Sequence, residues 1–182
     1  MGLLDEKKQN NIASYVISMW HVEDVMRAND LDPRKVEEQL IAPIEADEEK
    51  RAEVRAWYAD IIERMKEEGL HRYGHLAEVV EVMNDLEFLH RTLVDVLNDP
   101  EYDALFEAAR PGITALQTQA DEEAEGPIAT CFTAIYGVML LRAQGKAVSE
   151  STAEAEAQMR KLLEKLSVHY KQMRKLPGVS MN

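Results

Sequence analysis

The sequence predicts an all-α protein: a single-domain bundle of six or seven helices around one central apolar helix. Gly and Pro are sparse, at 8 and 6 of 182 residues, and this composition favours helix. No segment alternates apolar and polar residues for long enough to indicate a strand. One segment, PIATCFTAIYGVMLLR at Pro127–Arg142, is apolar almost all the way round, and such a helix is usually buried on every side. We therefore predict the central helix at about residues 127–144.

This segment is too short to cross a membrane, which takes ~20 apolar residues, and it ends in Arg142. It contains Cys131, the only cysteine, so no internal disulfide is expected, and a packed thiol is favoured over a nucleophile. Gly145 follows and is expected to end the helix.

Apolar residues at helical spacing predict the other helices. They run from about Asn11 to Ala28, Pro33 to Pro43, Asp47 to Gly69, Gly74 to Leu97, Pro100 to the acidic loop at Asp121, and Ser149 to Leu176. We expect Pro111-Gly112 to kink or break the fifth of these, because proline lacks the backbone donor. All 182 residues are assigned to one domain, with residues 1–10 and 177–182 as loose tails.

The chain is acidic, with a formal net charge of -13 and a pI near 4.8. Such a field repels phosphate backbones, so a nucleic-acid partner is not expected. The opening residues MGLLDEKKQNN contain no apolar stretch typical of a secretory signal. We expect a cytoplasmic protein without a membrane partner.

Known catalytic motifs are absent, and the histidines give only weak metal signals. Glu-x-x-His, a spacing found in di-iron bundles, occurs at Glu68–His71 and at Glu87–His90. The first copy straddles Gly69, and Glu87 points away from the apolar stripe that contains His90. His71 and His75 have a zinc-compatible spacing, but they lie in a segment bounded by glycines that need not be helical. We therefore predict no metal, no cofactor and no catalytic residue.

Two polar residues interrupt apolar helix stripes: Glu23 in the first helix and His90 in the fourth. An unpaired buried carboxylate is costly, so Glu23 must find a partner, take up a proton or face a cavity. In one interpretation it is a structural tether, bonded to Arg27, His90, Tyr136 or Arg142. In the other it is the base or ligand anchor of a pocket with Trp20 as a wall. The candidate ligand-binding residues are Trp20, Glu23, Arg27, His75, His90, Tyr136 and Arg142.

Four stretches carry a resemblance to a known family. They are NIASYVISMWHVEDVMRAN at Asn11–Asn29, the Glu53–Leu70 helix with Trp57-Tyr58, GHL at Gly74–Leu76, and CFTAIYGVMLLRAQGKAVSEST at Cys131–Thr152. Together they resemble a family of small, uncharacterised bacterial all-helical proteins, known only as a domain of unknown function. The resemblance implies one helical cytoplasmic domain, and it implies no activity, cofactor or catalytic residue.

Three functional hypotheses follow. The first, favoured by the lack of catalytic motifs, is a non-enzymatic interaction or regulatory protein that acts through a helical surface on a protein partner or as a homodimer. The second is a small-molecule binder or enzyme with a polar pocket. Its residues would be Trp20, Glu23, His75, His90, Tyr136 and Arg142. The third is a metal-dependent helical-bundle enzyme that uses the histidines.

Overall fold

The computed structural model describes residues 4–119 and 126–175, and all regular structure in these two ranges is helical. Within them lie eight α-helices: α1 Asp5–Asn10, α2 Ile12–Ala28, α3 Pro33–Val36, α4 Glu48–Glu67, α5 Ala77–Arg91, α6 Pro100–Gln119, α7 Pro127–Ala143 and α8 Glu150–Met173. Two π-helical segments, Glu37–Ile41 and Thr92–Leu97, continue α3 and α5. The all-α class is confirmed, and α1 is one helix more than predicted.

Local capping explains where several helices begin. Asp32 accepts a hydrogen bond from Arg34 N at 2.9 Å, and Pro33 occupies the first position of α3. Asp47 accepts from Lys50 N at 2.8 Å at the start of α4. Ser149 accepts from Thr152 N at 3.2 Å at the start of α8. These beginnings agree with the sequence because a cap needs only a short polar side chain at the right position.

A kink or a break was predicted at Pro111-Gly112; the break is wrong, because α6 continues through both residues, and the kink stays a prediction. The pair instead marks a close approach between helices. A Cβ at Gly112 would lie 3.0 Å from the side chains of Ala155 and Met159 on α8. Packing against α8 therefore compensates for the hydrogen bond that proline cannot make.

The chain divides into two compact units. The first unit comprises Met1–Lys8 and Ser14–Glu81, and the second comprises Gln9–Ala13 and Val82–Asn182. In the first unit, α3 and its π-helical continuation pack against α4. In the second unit, α6, α7 and α8 pack on one another. The expectation of a single domain stays a prediction.

Helix α7 is confirmed as a long apolar helix, but it is not buried on every side. Its buried residues are Ile128, Thr130, Cys131, Phe132, Ile135, Tyr136 and Val138. Thr133 and Leu141 are exposed, as is the last turn at Arg142. The last turn is exposed because it ends in a charged residue whose guanidinium lies at the surface. Burial raises the pKa of the Cys131 thiol to about 12, which agrees with a packed, unreactive cysteine.

Three predicted features lie outside the described residues: the acidic loop at Asp121, the helix end at Leu176 and the tail 177–182. Among the helices that are described, none combines the length and apolarity that a membrane crossing requires.

Candidate functional site

The carboxylate of Glu23 is the most deeply buried charged group of the first unit, with no exposed surface. Oε2 lies 2.6 Å from His75 Nδ1, and Oε1 accepts a hydrogen bond of 2.9 Å from the backbone N–H of Leu76. Each carboxylate oxygen therefore has a donor, which offsets the cost of burial. The buried Glu23 therefore has hydrogen-bond partners, which was one of the outcomes expected for it. Those partners are His75 and the adjacent backbone, whereas the expected tether was Arg27, His90, Tyr136 or Arg142.

Trp20 and Glu23 together fix the ring of His75. The indole of Trp20 stacks on the imidazole, with 4.4 Å between ring centroids and 10° between planes. Because a carboxylate only accepts, Nδ1 carries the proton of the bond to Glu23, and Nε2 of the neutral ring then holds the lone pair. The His75 side chain is 31% exposed. This arrangement gives an oriented imidazole that solvent reaches, suited to bind a ligand or to transfer a proton.

Arg27, one turn after Glu23, binds the same loop from its other end. Its Nε donates to the carbonyl of Leu70 at 3.2 Å, and its Nη2 donates to the carbonyl of Gly74. Its Nη1 pairs with Asp24 at 2.7 Å. The guanidinium is almost buried, so these bonds are shielded from water. Arg27 is thus a loop anchor, and nothing in its contacts requires a ligand.

We call residues 68–76 the tethered loop, because side chains bind its backbone at both ends. In addition to the bonds from Glu23 and Arg27, Glu68 accepts from Ala77 N at 2.7 Å and closes the loop on itself. Gly69 and Gly74 have φ of +72° and +91°, conformations that other residues rarely adopt. The segment that carries His71 and His75 is therefore not helical, as the two glycines indicated.

The three side chains in the middle of the tethered loop point outwards. His71, Arg72 and Tyr73 are exposed, and Tyr73 is 82% exposed. Residues 68–74 line an open depression of about 370 Å³. The loop therefore combines a fixed backbone with accessible polar and aromatic side chains.

In the second unit, the buried His90 is bonded to a neutral group. A hydrogen bond of 2.8 Å joins its Nδ1 to the hydroxyl of Tyr102, and the ring of Phe106 packs edge-on against it. Burial lowers the pKa of His90 from 6.5 to about 4, so the imidazole is neutral at pH 7. With 4% of its surface exposed, His90 reaches no solvent for chemistry. Its place in an apolar stripe is explained by structure alone.

Two other predicted residues of the second unit, Tyr136 and Arg142, lie on α7. Tyr136 is buried. Arg142 makes a two-pronged ion pair with Glu156 on α8, at 3.1 and 2.7 Å, and Arg160 binds the same carboxylate. Sequence reasoning missed both Glu156 and Arg160. The signal was available, since Glu156 is three residues before Met159 and seven before Leu163 on an apolar face, like Glu23 in its own helix.

In both Glu-x-x-His copies the glutamate carboxylate accepts a hydrogen bond from a backbone N–H group. Glu68 binds Ala77 N, and Glu87 binds Ile128 N at 3.1 Å at the start of α7. In the described part of the chain, no group of three or more His, Cys, Asp or Glu side chains is arranged to hold a metal ion. The hypothesis of a metal-dependent enzyme therefore gains no ligand set from these residues.

Comparison with known proteins identifies the family. A family model described as Domain of unknown function (DUF4924) matches residues 1–176. The chain belongs to this family. The resemblance drawn from the sequence is thereby confirmed, and the match extends over nearly the whole chain of this DUF4924 member. The family description carries no activity, so it assigns no role to Glu23, His75 or any other residue.

Neither the search of curated proteins nor that of solved structures gives a match. The contacts of the DUF4924 chain itself are therefore the basis for any functional assignment.

Proposed function

We propose that this DUF4924 protein is a non-enzymatic interaction protein that binds a protein partner through the tethered loop. One observation carries the proposal: the backbone of the loop is bound at both ends by Glu23, Arg27 and Glu68, whereas His71, Arg72 and Tyr73 are exposed. Tyr and Arg are the residue types most often found at the energetic centres of protein interfaces. A fixed loop also loses little conformational freedom on binding, which favours affinity.

The charge of the loop indicates the chemistry of the partner. Between Gly69 and Leu76 the sequence is GLHRYGHL, with one arginine, two histidines and no acidic residue, in a chain of net charge -13. A partner that presents carboxylates to Arg72 is attracted locally and repelled elsewhere, so that it is steered to the loop. We therefore propose an acidic protein surface as the partner, in the cytoplasm of a bacterial cell.

Photo-crosslinking in cells tests this proposal. A photoreactive amino acid is placed at Tyr73, and the matched control carries it at Glu63, an exposed position on α4 of the same unit. We expect a discrete adduct from position 73 that is absent from position 63 and lost on adding Arg72→Glu. All three side chains are exposed, so the thermal midpoints should stay within the range of surface substitutions. Equal adducts from both positions, or an adduct that Arg72→Glu leaves unchanged, would contradict the proposal.

The oriented imidazole favours a second candidate, a small-molecule binder or enzyme centred on His75. Its support is the 2.6 Å contact between His75 Nδ1 and the buried Glu23, with Trp20 stacked on the ring. A buried carboxylate that holds one ring nitrogen leaves the other to meet a ligand, as in many histidine sites.

A thermal-shift screen against metabolites and divalent metals tests this second candidate. A ligand of the site should raise the midpoint of the wild-type protein and of Arg72→Glu, but not of His75→Gln. This pattern separates the two candidates, because Arg72→Glu removes only the loop's interaction. A ligand shift that persists in His75→Gln would show binding elsewhere, and would remove the support for a site at His75.

A further inference from the structure

Two arginines of the second unit share one buried carboxylate. Glu156 on α8 is 4% exposed. Its Oε2 lies 2.7 Å from Arg142 Nη2, and its Oε1 accepts a hydrogen bond from Arg142 Nη1 at 3.1 Å. The same Oε1 also accepts a hydrogen bond from Arg160 Nε at 2.7 Å and lies 2.6 Å from Arg160 Nη2. Four arginine nitrogens therefore lie within 3.1 Å of this carboxylate, and two of them donate hydrogen bonds to it.

Among the described residues, the shared carboxylate leaves one of the two positive charges without an ion-pair partner of its own. Two guanidinium groups and one carboxylate carry a net charge of one, and the side chains of Arg142 and Arg160 are 49% and 44% exposed. Within the described ranges, the only acidic group in an ion pair with either arginine is Glu156. This differs from the usual surface pair such as Arg110 with Glu107, in which each charge has its own exposed partner.

Each arginine keeps donors that Glu156 does not occupy. Each guanidinium has five N–H groups and places two of its nitrogens close to Glu156, so at least three N–H groups remain on each. Nη1 of Arg142 and Nε of Arg160 lie 3.1 and 2.7 Å from the same Oε1 of Glu156, so the two guanidinium groups are neighbours. Glu156 also fixes both flexible side chains before any ligand arrives, which lowers the ordering cost of binding.

We propose that Arg142 and Arg160 form a binding site for a phosphate group, either free phosphate or the monoester of a small molecule. Planar guanidinium forks match the oxygens of phosphate in pairs, and a phosphate dianion offers enough oxygens for both forks. Glu156 is the positioning residue of this site and does not itself contact the ligand. The proposal is independent of the tethered loop and of His75.

Titration with inorganic phosphate, followed by backbone NMR at constant ionic strength with chloride as the balancing anion, tests the site. We expect saturable shifts at Arg142, Arg160 and their neighbours, and binding at least about tenfold weaker in Arg160→Gln. The matched control, Arg110→Gln, removes an exposed arginine of the same unit and should leave the affinity unchanged. Titration with phosphoserine distinguishes a monoester site, which binds it at least as well as phosphate, from one that takes free phosphate only.

A second variant serves as a control in case Arg160→Gln does not fold. Arg160→Lys keeps the charge but not the planar fork, so it should fold and bind phosphate more weakly than the wild type and more tightly than Arg160→Gln. Absence of saturable shifts in the wild-type protein, or equal affinity in wild type and folded Arg160→Gln, would overturn the proposal. An equal loss in Arg110→Gln would also overturn it, because the effect would then be one of net charge.

Discussion

Two combinations of a glutamate and a histidine, Glu23 with His75 and Glu87 with His90, differ in their hydrogen-bond partners. Glu23 and His75 bond to each other, and Glu23 also accepts from the backbone at the start of α5. Glu87 and His90 lie one helical turn apart, yet Glu87 binds the backbone of Ile128 at the start of α7 and His90 binds Tyr102. Both glutamates thus stabilise a helix beginning. Only the first combination places an imidazole beside a carboxylate.

This comparison shows that a buried acid and a nearby histidine do not by themselves make a functional site. His75 is oriented by a carboxylate and reached by solvent, whereas His90 is neutral and enclosed. Burial raises the pKa of the Glu87 carboxyl, and the backbone N–H of Ile128 only partly opposes this. Substitutions at these residues test the distinction, because they should affect the two combinations by different amounts.

The largest effect is expected from Glu23→Ala. The change leaves the N–H of Leu76 and the ring of His75 without their acceptor, so the free energy of unfolding should fall by about 3 kcal/mol. Urea denaturation followed by tryptophan fluorescence measures it, since Trp20 and Trp57 both report on the first unit. The neighbouring Asp24→Ala removes a half-exposed carboxylate and should cost less than about 1 kcal/mol. Similar losses in the two variants would contradict a special role for Glu23.

Acid should destabilise the His90 region next most strongly. The pKa of His90 is about 4 when folded and 6.5 when exposed, so between these values the unfolded chain binds a proton that the folded chain does not. Stability should therefore fall by up to about 3 kcal/mol as the pH drops from 6.5 to 4, and His90→Gln should lack this part of the decline. Nearby Asp95, Asp103 and Arg91 are unchanged in the variant. Parallel pH profiles of wild type and variant would disprove this assignment.

Much of the fold follows from the sequence because helical periodicity and caps are local signals. The residue before each helix was enough to predict where four helices begin, at Pro33, Glu48, Pro100 and Glu150. The continuity of α6 through Pro111 was missed, since it depends on packing against α8, which no local pattern reveals. Helix was predicted up to Pro43 and to about Leu97, so the segments that continue α3 and α5 were expected, but their π-helical form was not.

The candidate site was predictable only in part. Glu23 was found because a charge in an apolar stripe is visible in one helix. His75 was predicted as a member of the same pocket but not as the tether of Glu23, because it is 52 residues away and lies in a loop. Glu156 gave the same stripe signal and was overlooked, and its pairing with Arg142 again joins two helices. The sequence thus indicates which buried charges need partners, and tertiary structure decides which partners they find.

Gly126→Ala should give a smaller loss that operates through Glu87. A Cβ at Gly126 would lie 2.5 Å from the Glu87 carboxylate and displace it from Ile128 N, so we expect a loss of about 1 kcal/mol. Gly137→Ala is the matched control on α7, because a Cβ there meets nothing within 4 Å, and it should stabilise the helix by up to about 1 kcal/mol. In a Glu87→Ala background the cost of Gly126→Ala should vanish. A cost that remains there would mean that Glu87 is not the cause.

The smallest effect is expected from Glu87→Gln. Glutamine keeps an acceptor for Ile128 N and removes a charge that burial disfavours, so the free energy of unfolding at pH 7 should change by no more than about 0.5 kcal/mol. The raised pKa of Glu87 means that the folded chain binds the proton more tightly than the unfolded chain. The stability that this proton contributes is complete below the ordinary pKa of 4.5 and is lost as the pH rises through the folded pKa. The wild type should therefore become more stable relative to Glu87→Gln as the pH falls.

Glu23→Gln should cost more, about 1–2 kcal/mol, because a neutral amide replaces the carboxylate that His75 binds. Equal denaturation midpoints for the two glutamine variants at pH 7 would remove the distinction between the two combinations.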